Sequence, residues 1–189
     1  MKRIAILASG SGSNAEQIAR YFSNDAEICV DILLADREAK AVERMKPFGI
    51  EARIIERKTW REHPETIVQL LRERGIDLIV LAGFLSFVAP DIVHAFPHRI
   101  INLHPSLLPK FGGKGMWGDH VHRAVLAAGE QESGITIHYV SEEVDEGQTI
   151  AQFRCPVMPD DTPETLATRI HQLEHEHLPA VIRQLLNEL

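Results

Sequence analysis

The stretch "RIAILASGSGSNAEQIARYF", Arg3 to Phe22, decides the fold. It opens on a short continuous apolar run, breaks at a serine–glycine loop and resumes as an amphipathic stretch over 14–22. A run of that kind predicts a parallel strand covered on both faces, and the loop and helix after it begin a strand–helix–strand unit. Working outward, the alternation recurs. "ICVDILLA", "EARIIE", "DLIVLA" and "RIINLH" read as further strands, with helical patterns near Glu38–Phe48, Pro64–Arg74 and Pro90–Phe96. The pattern predicts an α/β fold, a doubly wound, mostly parallel Rossmann-like sheet. "GITIHYV" and "TIAQFRCPV", separated by "SEEVDEGQ", predict a C-terminal antiparallel hairpin. "DDTPET" then opens a long final helix that runs nearly to Leu189. No repeat or compositional break appears, so 1–189 reads as a single domain.

The 189 residues suffice for one sizeable core, and 44% hydrophobic with 25% charged is ordinary for a globular chain. A net charge of −7 with no Lys/Arg cluster argues against a nucleic-acid or anionic-membrane surface. Cys29 and Cys155 both lie in apolar, strand-like segments and read as buried reduced thiols. The amino terminus lacks the apolar region of a signal peptide and nothing later is long enough to span a bilayer, so a cytoplasmic location is expected.

Ligands of such sheets collect at the carboxyl ends of the strands. In "SGSGSN", Ser9 to Asn14, glycines free the backbone, and N–H groups at the helix start suit a phosphate; a tight turn with a serine cap explains the same residues. The third glycine of a dinucleotide fingerprint is missing, although Asp36 at the end of the second strand keeps a ribose contact open. Asn102 and His104, two apart, face the same side of a strand. An amide beside an imidazole can stabilise a carbonyl oxygen turning tetrahedral and pass protons, or can simply close loop backbone groups. Asp145 lies in the acidic turn "SEEVDEG"; brought to His104 it would favour the imidazolium and raise the histidine pKa. Gly147 would let that turn approach closely. "HQLEH", His171 to His175, matches an H-x-x-E-H zinc spacing and "HVH" at 120–122 could add ligands, but a solvated helix face is the commoner origin and no metal is expected.

"SGSGSN", "LAGFLSF", "INLHPSLLPKF" and "GITIHYVSEEVDEGQTI", in that order, resemble the phosphoribosylglycinamide formyltransferase family over nearly the whole chain. The resemblance implies the formyltransferase fold, 10-formyltetrahydrofolate as cosubstrate, no metal, and formyl transfer to the amine of phosphoribosylglycinamide in purine synthesis. It implies catalytic roles for Asn102, His104 and Asp145, and a phosphate loop at Gly12, Ser13 and Asn14. It also implies a ribose contact at Glu174. Folate contacts fall on Arg61, on Leu85, Ser86, Phe87 and Val88, on Asn102, and on Ser141, Glu142, Glu143, Val144 and Asp145. Small-molecule substrates, no nucleic acid, no membrane and a monomer or homodimer are expected. Leu108–Pro109 is a candidate cis bond. The loop "FGGKGMWGD", Phe111 to Asp119, exceeds the family's shorter link and reads as a mobile flap, with Lys114 or Trp117 covering the substrate. Sister enzymes share the triad: a formyltetrahydrofolate hydrolase, or formyltransferases acting on methionyl-tRNA or a sugar nucleotide. The short chain and the phosphate loop favour the first family. A nucleotide-binding regulator without turnover would be expected to carry a broken triad.

Overall fold

The computed structural model describes residues 1–189. Seven strands hydrogen-bond in the order β3-β2-β1-β4-β5-β6-β7: β1 (Lys2–Ala8), β2 (Ile28–Ala35), β3 (Glu51–Ile54), β4 (Leu78–Leu81), β5 (Ile100–His104), β6 (Glu132–Tyr139) and β7 (Thr149–Pro156). The helices are α1 (Ser13–Phe22), α2 (Lys40–Met45), α3 (Arg57–Glu62), α4 (Pro64–Glu73), α5 (Pro90–Ala95), α6 (Asp119–Ala127) and α7 (Pro163–Glu188). All seven expected strands form, four of them pairing in parallel and β6–β7 as an antiparallel hairpin. The chain divides into two compact units, 1–101 with 182–189, and 102–181.

In the first unit β1 is central. Ile4 to Ala8 are wholly buried, as a strand covered on both faces requires. Ala15, Ile18, Ala19 and Phe22 of α1 are buried at helical spacing, so one apolar stripe of that helix faces the core. The chain runs outward from β1 through β2 to β3, then returns to place β4 on the other side of β1. That reversal makes the carboxyl ends of β1 and β4 a topological switch point, where open α/β sheets form their ligand crevice.

Several expectations are corrected. The pattern over Glu38–Phe48 is not one helix: α2 ends at Met45 and a 3-10 turn, Lys46–Phe48, follows. Pro47 has no N–H for a continued α-helix. β3 is an edge strand with three of its four residues exposed, not covered on both faces. Cys29 is only half-buried, because β2 is covered fully from Ile32 onward; Cys155 is buried, and both thiols are free. The short helices α3 and α6 lie outside the expected pattern.

In the second unit the register of β6 and β7 slips between Ile137 and His138, leaving Ile150 as an extra residue on β7. Such bulges re-aim side chains at a sheet rim. Leu166, Ile170 and Leu178 of α7 are buried at four- and eight-residue intervals, and Glu174 occupies the intervening position of that apolar stripe. The Leu108–Pro109 bond is cis, as expected.

Candidate active site

The end of β5 delivers two side chains to one carboxylate. Asn102 Nδ2 lies 3.3 Å from Asp145 Oδ1, and His104 Nδ1 lies 3.4 Å from Asp145 Oδ2. Leu103 between them is buried, as strand alternation requires. Asp145 sits in the turn joining β6 to β7, and Gly147 explains its approach: a Cβ there would fall 1.7 Å from the Tyr139 carbonyl oxygen. Asp145 itself has φ +60°, a left-handed conformation that a non-glycine residue holds only when its surroundings fix it.

A residue that the sequence reading missed completes the cluster. His138, on β6 opposite the β7 bulge, is 2% exposed. Its Nδ1 lies 2.9 Å from the Tyr139 carbonyl oxygen and its Nε2 lies 3.1 Å from Asn102 Nδ2. A carbonyl only accepts, so Nδ1 carries a hydrogen, and Nε2 lies between the Asn102 amide and, at 3.6 Å, Asp145 Oδ1. The signal was an imidazole in an otherwise apolar strand, just ahead of the acidic turn.

The glycine-rich loop also reaches the site. His104 Nε2 donates to the Phe111 carbonyl oxygen at 2.8 Å, and the Gly113 amide donates to Asp145 Oδ2 at 2.9 Å. Lys114 is exposed, and Trp117, 51% exposed, meets the His120 ring edge-on with centroids 5.1 Å apart.

Electrostatics correct one expectation. Burial pulls the His104 pKa below its ordinary value, outweighing the upward pull of Asp145 and of the Phe111 carbonyl; His138 adds a further downward pull. Asp145 is held below the usual carboxylate range: burial alone would raise it, but His138, His104 and the Gly113 amide together outweigh that. Both ring nitrogens of His104 face acceptor oxygens, so the doubly protonated ring alone satisfies both, while burial opposes its charge. A ring so balanced takes up a proton when negative charge appears beside it. Asn102 Nδ2 already serves His138 and Asp145, so the amide is a positioned donor rather than a free one.

In the same unit, Ser141 Oγ donates to the Glu143 carbonyl oxygen at 2.9 Å, and Glu142, Glu143 and Val144 are exposed on the turn that carries Asp145. Glu174 is buried on α7. The His171 and His175 rings stack with centroids 6.4 Å apart, and no three His, Cys, Asp or Glu side chains gather as a metal-ligand set.

The first unit holds the remaining expected residues. Gly12 caps α1 with φ +73°, and a Cβ there would lie 2.4 Å from Ala41 Cα. Ser13 and Asn14 form the first turn of α1, whose cap position makes no side-chain hydrogen bond. Leu85 to Val88 form the loop after β4: Leu85 and Phe87 are exposed, Ser86 is half-buried and Val88 is buried. Arg61 is exposed on α3, its Nη2 2.7 Å from Glu62 Oε1. Asp36 is not free for a ribose. Its carboxylate receives Arg37 Nε at 2.9 Å, Arg37 Nη2 at 2.5 Å and Ser86 Oγ at 2.5 Å.

A family model described as "Formyl transferase" matches residues 2–182. The phosphoribosylglycinamide formyltransferase of Bacillus subtilis (strain 168) is 38% identical over 191 residues, covering 98% of this chain and 95% of that one. The chloroplastic phosphoribosylglycinamide formyltransferase of Arabidopsis thaliana is 39% identical over 195 residues, covering 99% of this chain, which spans 66% of the plant protein's length. The crystal structure of glycinamide ribonucleotide transformylase 1 from Geobacillus kaustophilus matches with a TM-score of 0.89 at 38% identity, covering 98% of each chain.

Proposed function

The chain belongs to the formyl transferase family and is a formyltransferase of purine biosynthesis, and we propose that it moves the formyl group of 10-formyltetrahydrofolate to the amine of 5′-phosphoribosylglycinamide. The observation that carries the mechanism is the convergence of Asn102, His104 and His138 on the one carboxylate of Asp145. The substrate amine attacks the formyl carbon, and the carbonyl oxygen gains negative charge. The proton that the amine sheds goes to His104, whose ring becomes the imidazolium that its two acceptor neighbours already fit. The positive charge of that imidazolium stabilises the oxyanion, the Asn102 amide joins it by giving up one of its two hydrogen bonds, and Asp145 balances the positive ring. Collapse breaks the bond to the folate nitrogen, which receives the proton from His104, directly or through water. One proton thus passes from amine to folate nitrogen, and no charge is left behind.

The substrate phosphate falls to the α1 amino terminus at Gly12, Ser13 and Asn14, where outward amides and the helix dipole favour an anion. Glu174 takes the ribose hydroxyls. Folate lies on Leu85 to Val88, on the Ser141–Asp145 turn and on Asn102, with Arg61 at its anionic end. The chain acts as one catalytic domain on small molecules, in the cytoplasm, as a monomer or homodimer, without nucleic acid. No helix is long and apolar enough to cross a membrane.

The test is release of deformylated folate with and without phosphoribosylglycinamide. Turnover that needs the amine supports transfer; equal turnover without it identifies a hydrolase and defeats the proposal.

A further inference from the structure

We propose that Asp36 is a positioning residue that holds the Leu85–Phe87 segment in its folate-accepting shape. The inference rests on the reading of Leu85 to Val88 as part of the folate site.

The carboxylate of Asp36 ends β2 at the switch point and its side chain is fully buried. From there it commands two consecutive residues of the loop after β4. Ser86 Oγ donates to Oδ2 at 2.5 Å. The Leu85 amide donates at 2.8 Å to Ser9 Oγ, which is itself hydrogen-bonded to Asp36. The Ser9 amide also donates to the Gly83 carbonyl oxygen at 3.0 Å. The loop after β1 and the loop after β4 are thus tied to each other and to one carboxylate.

Between these tethers the apolar side chains are left outside: Leu85 is 46% exposed and Phe87 is 58% exposed. Backbone pinned from below with bare apolar side chains above is what a flat, partly aromatic ligand needs, because the surface is ordered before the ligand arrives. The carboxylate suits the task better than an amide. It has only acceptor sites, so the hydroxyls of Ser9 and Ser86 and the guanidinium of Arg37 must all point at it. Arg37, with Arg57 Nε at 3.4 Å, offsets its buried charge.

The experiment measures KM for each substrate and kcat for Asp36→Asn, Ser86→Ala, Ser86→Thr and Phe87→Ala. Asn in place of Asp36 removes the charge and turns one acceptor into a donor that faces Ser86 or Arg37. We expect Asp36→Asn and Ser86→Ala to raise the 10-formyltetrahydrofolate KM about tenfold, one to two lost hydrogen bonds. The phosphoribosylglycinamide KM and kcat at saturating folate should stay within about twofold, as loss of substrate binding alone requires. Ser86→Thr, which keeps the hydroxyl, should restore the folate KM. If Asp36→Asn does not fold, Ser86→Ala decides. A folate KM raised by Phe87→Ala but not by Ser86→Ala overturns the positioning role and leaves the folate site standing. No change from Phe87→Ala removes both. A uniform loss in kcat and both KM values shows a merely structural network and overturns the proposal.

Discussion

Asp36, buried just past β2, and Asp145, with a side chain only 9% exposed in the β6–β7 turn, are both held below the usual carboxylate range. Their partners differ in kind. Asp36 faces permanent charge: the Arg37 guanidinium grips it with two hydrogen bonds and Arg57 stands by, against serine hydroxyls that cannot titrate near neutrality. Asp145 instead faces two histidines, an asparagine amide and a backbone amide. A guanidinium never releases its proton, so Asp36 sits in a fixed field that shapes the loops around it. Imidazoles do release theirs, so the charge compensating Asp145 can come and go with a reaction. One carboxylate holds structure and the other holds a proton account open.

The largest effect that could break this contrast is at Asp145. Asp145→Asn removes the charge that the transient imidazolium needs, and kcat should fall about 10³-fold, in the range of lost acid–base assistance. Urea unfolding should show a folded protein. A loss below tenfold in steady-state turnover would mean that the carboxylate only shapes the turn. His104→Ala should cost about 10²–10³-fold in kcat, as for one oxyanion donor, with both KM values little changed. Because the two residues act as a pair, the double variant should be scarcely worse than the single ones. Additive losses would separate them.

How much of this contrast was legible before folding is itself physical. The apolar runs of β1, β2 and β4 gave parallel strands because burial leaves little alternation to misread, β3 paired in parallel as an exposed edge, and the hairpin followed from two runs and an eight-residue acidic connection. Asn102 and His104 announced themselves as polar side chains at the end of such a run. α3 and α6, of six and nine residues, did not, and α5, also of six, was legible only because Pro90 marks its start. His138 was hidden for a different reason: in "GITIHYV" it reads as one polar strand position, and only the pairing of elements far apart in sequence puts its ring beside Asn102. The upward pull of Asp145 on the His104 pKa was legible, but a sequence names the charged neighbour and not the depth of burial, and burial outweighs that pull.

That balance gives a smaller, sharper test. His104 titrates below the ordinary histidine value of 6.5, so its neutral form prevails at neutral pH and is lost only as pH falls through the lowered value. Folding stability has the same sign: the unfolded ring binds the proton more readily, so this site disfavours the fold as pH drops below 6.5. Asp145 contributes stability above its unfolded value of 3.8, lost as pH falls through its folded value. NMR titration of the His104 ring should place it below 6.5, lower still in Asp145→Asn and higher in His138→Gln, since His138 pushes it down. The order of the three midpoints is the test, and an unshifted His138→Gln midpoint would show that His138 acts through Asn102 alone. Its kcat should fall about fivefold to tenfold, one neutral hydrogen bond of roughly 1 kcal/mol.

The smallest effect belongs to the other carboxylate. Arg37→Ala leaves Asp36 with Ser86, Ser9 and the Arg57 guanidinium, so the buried charge is under-compensated without being abandoned. Arg37 is one-third exposed, and solvent screening limits what it contributes. We expect a loss of less than about 1 kcal/mol in urea unfolding, as for a partly exposed ion pair, with kcat unchanged at saturating substrates. If Asp36 is a fixed field, its partner's removal must appear in stability and not in proton transfer. An altered pH dependence of kcat in Arg37→Ala would place Asp36 in the chemistry and erase the distinction between the two carboxylates.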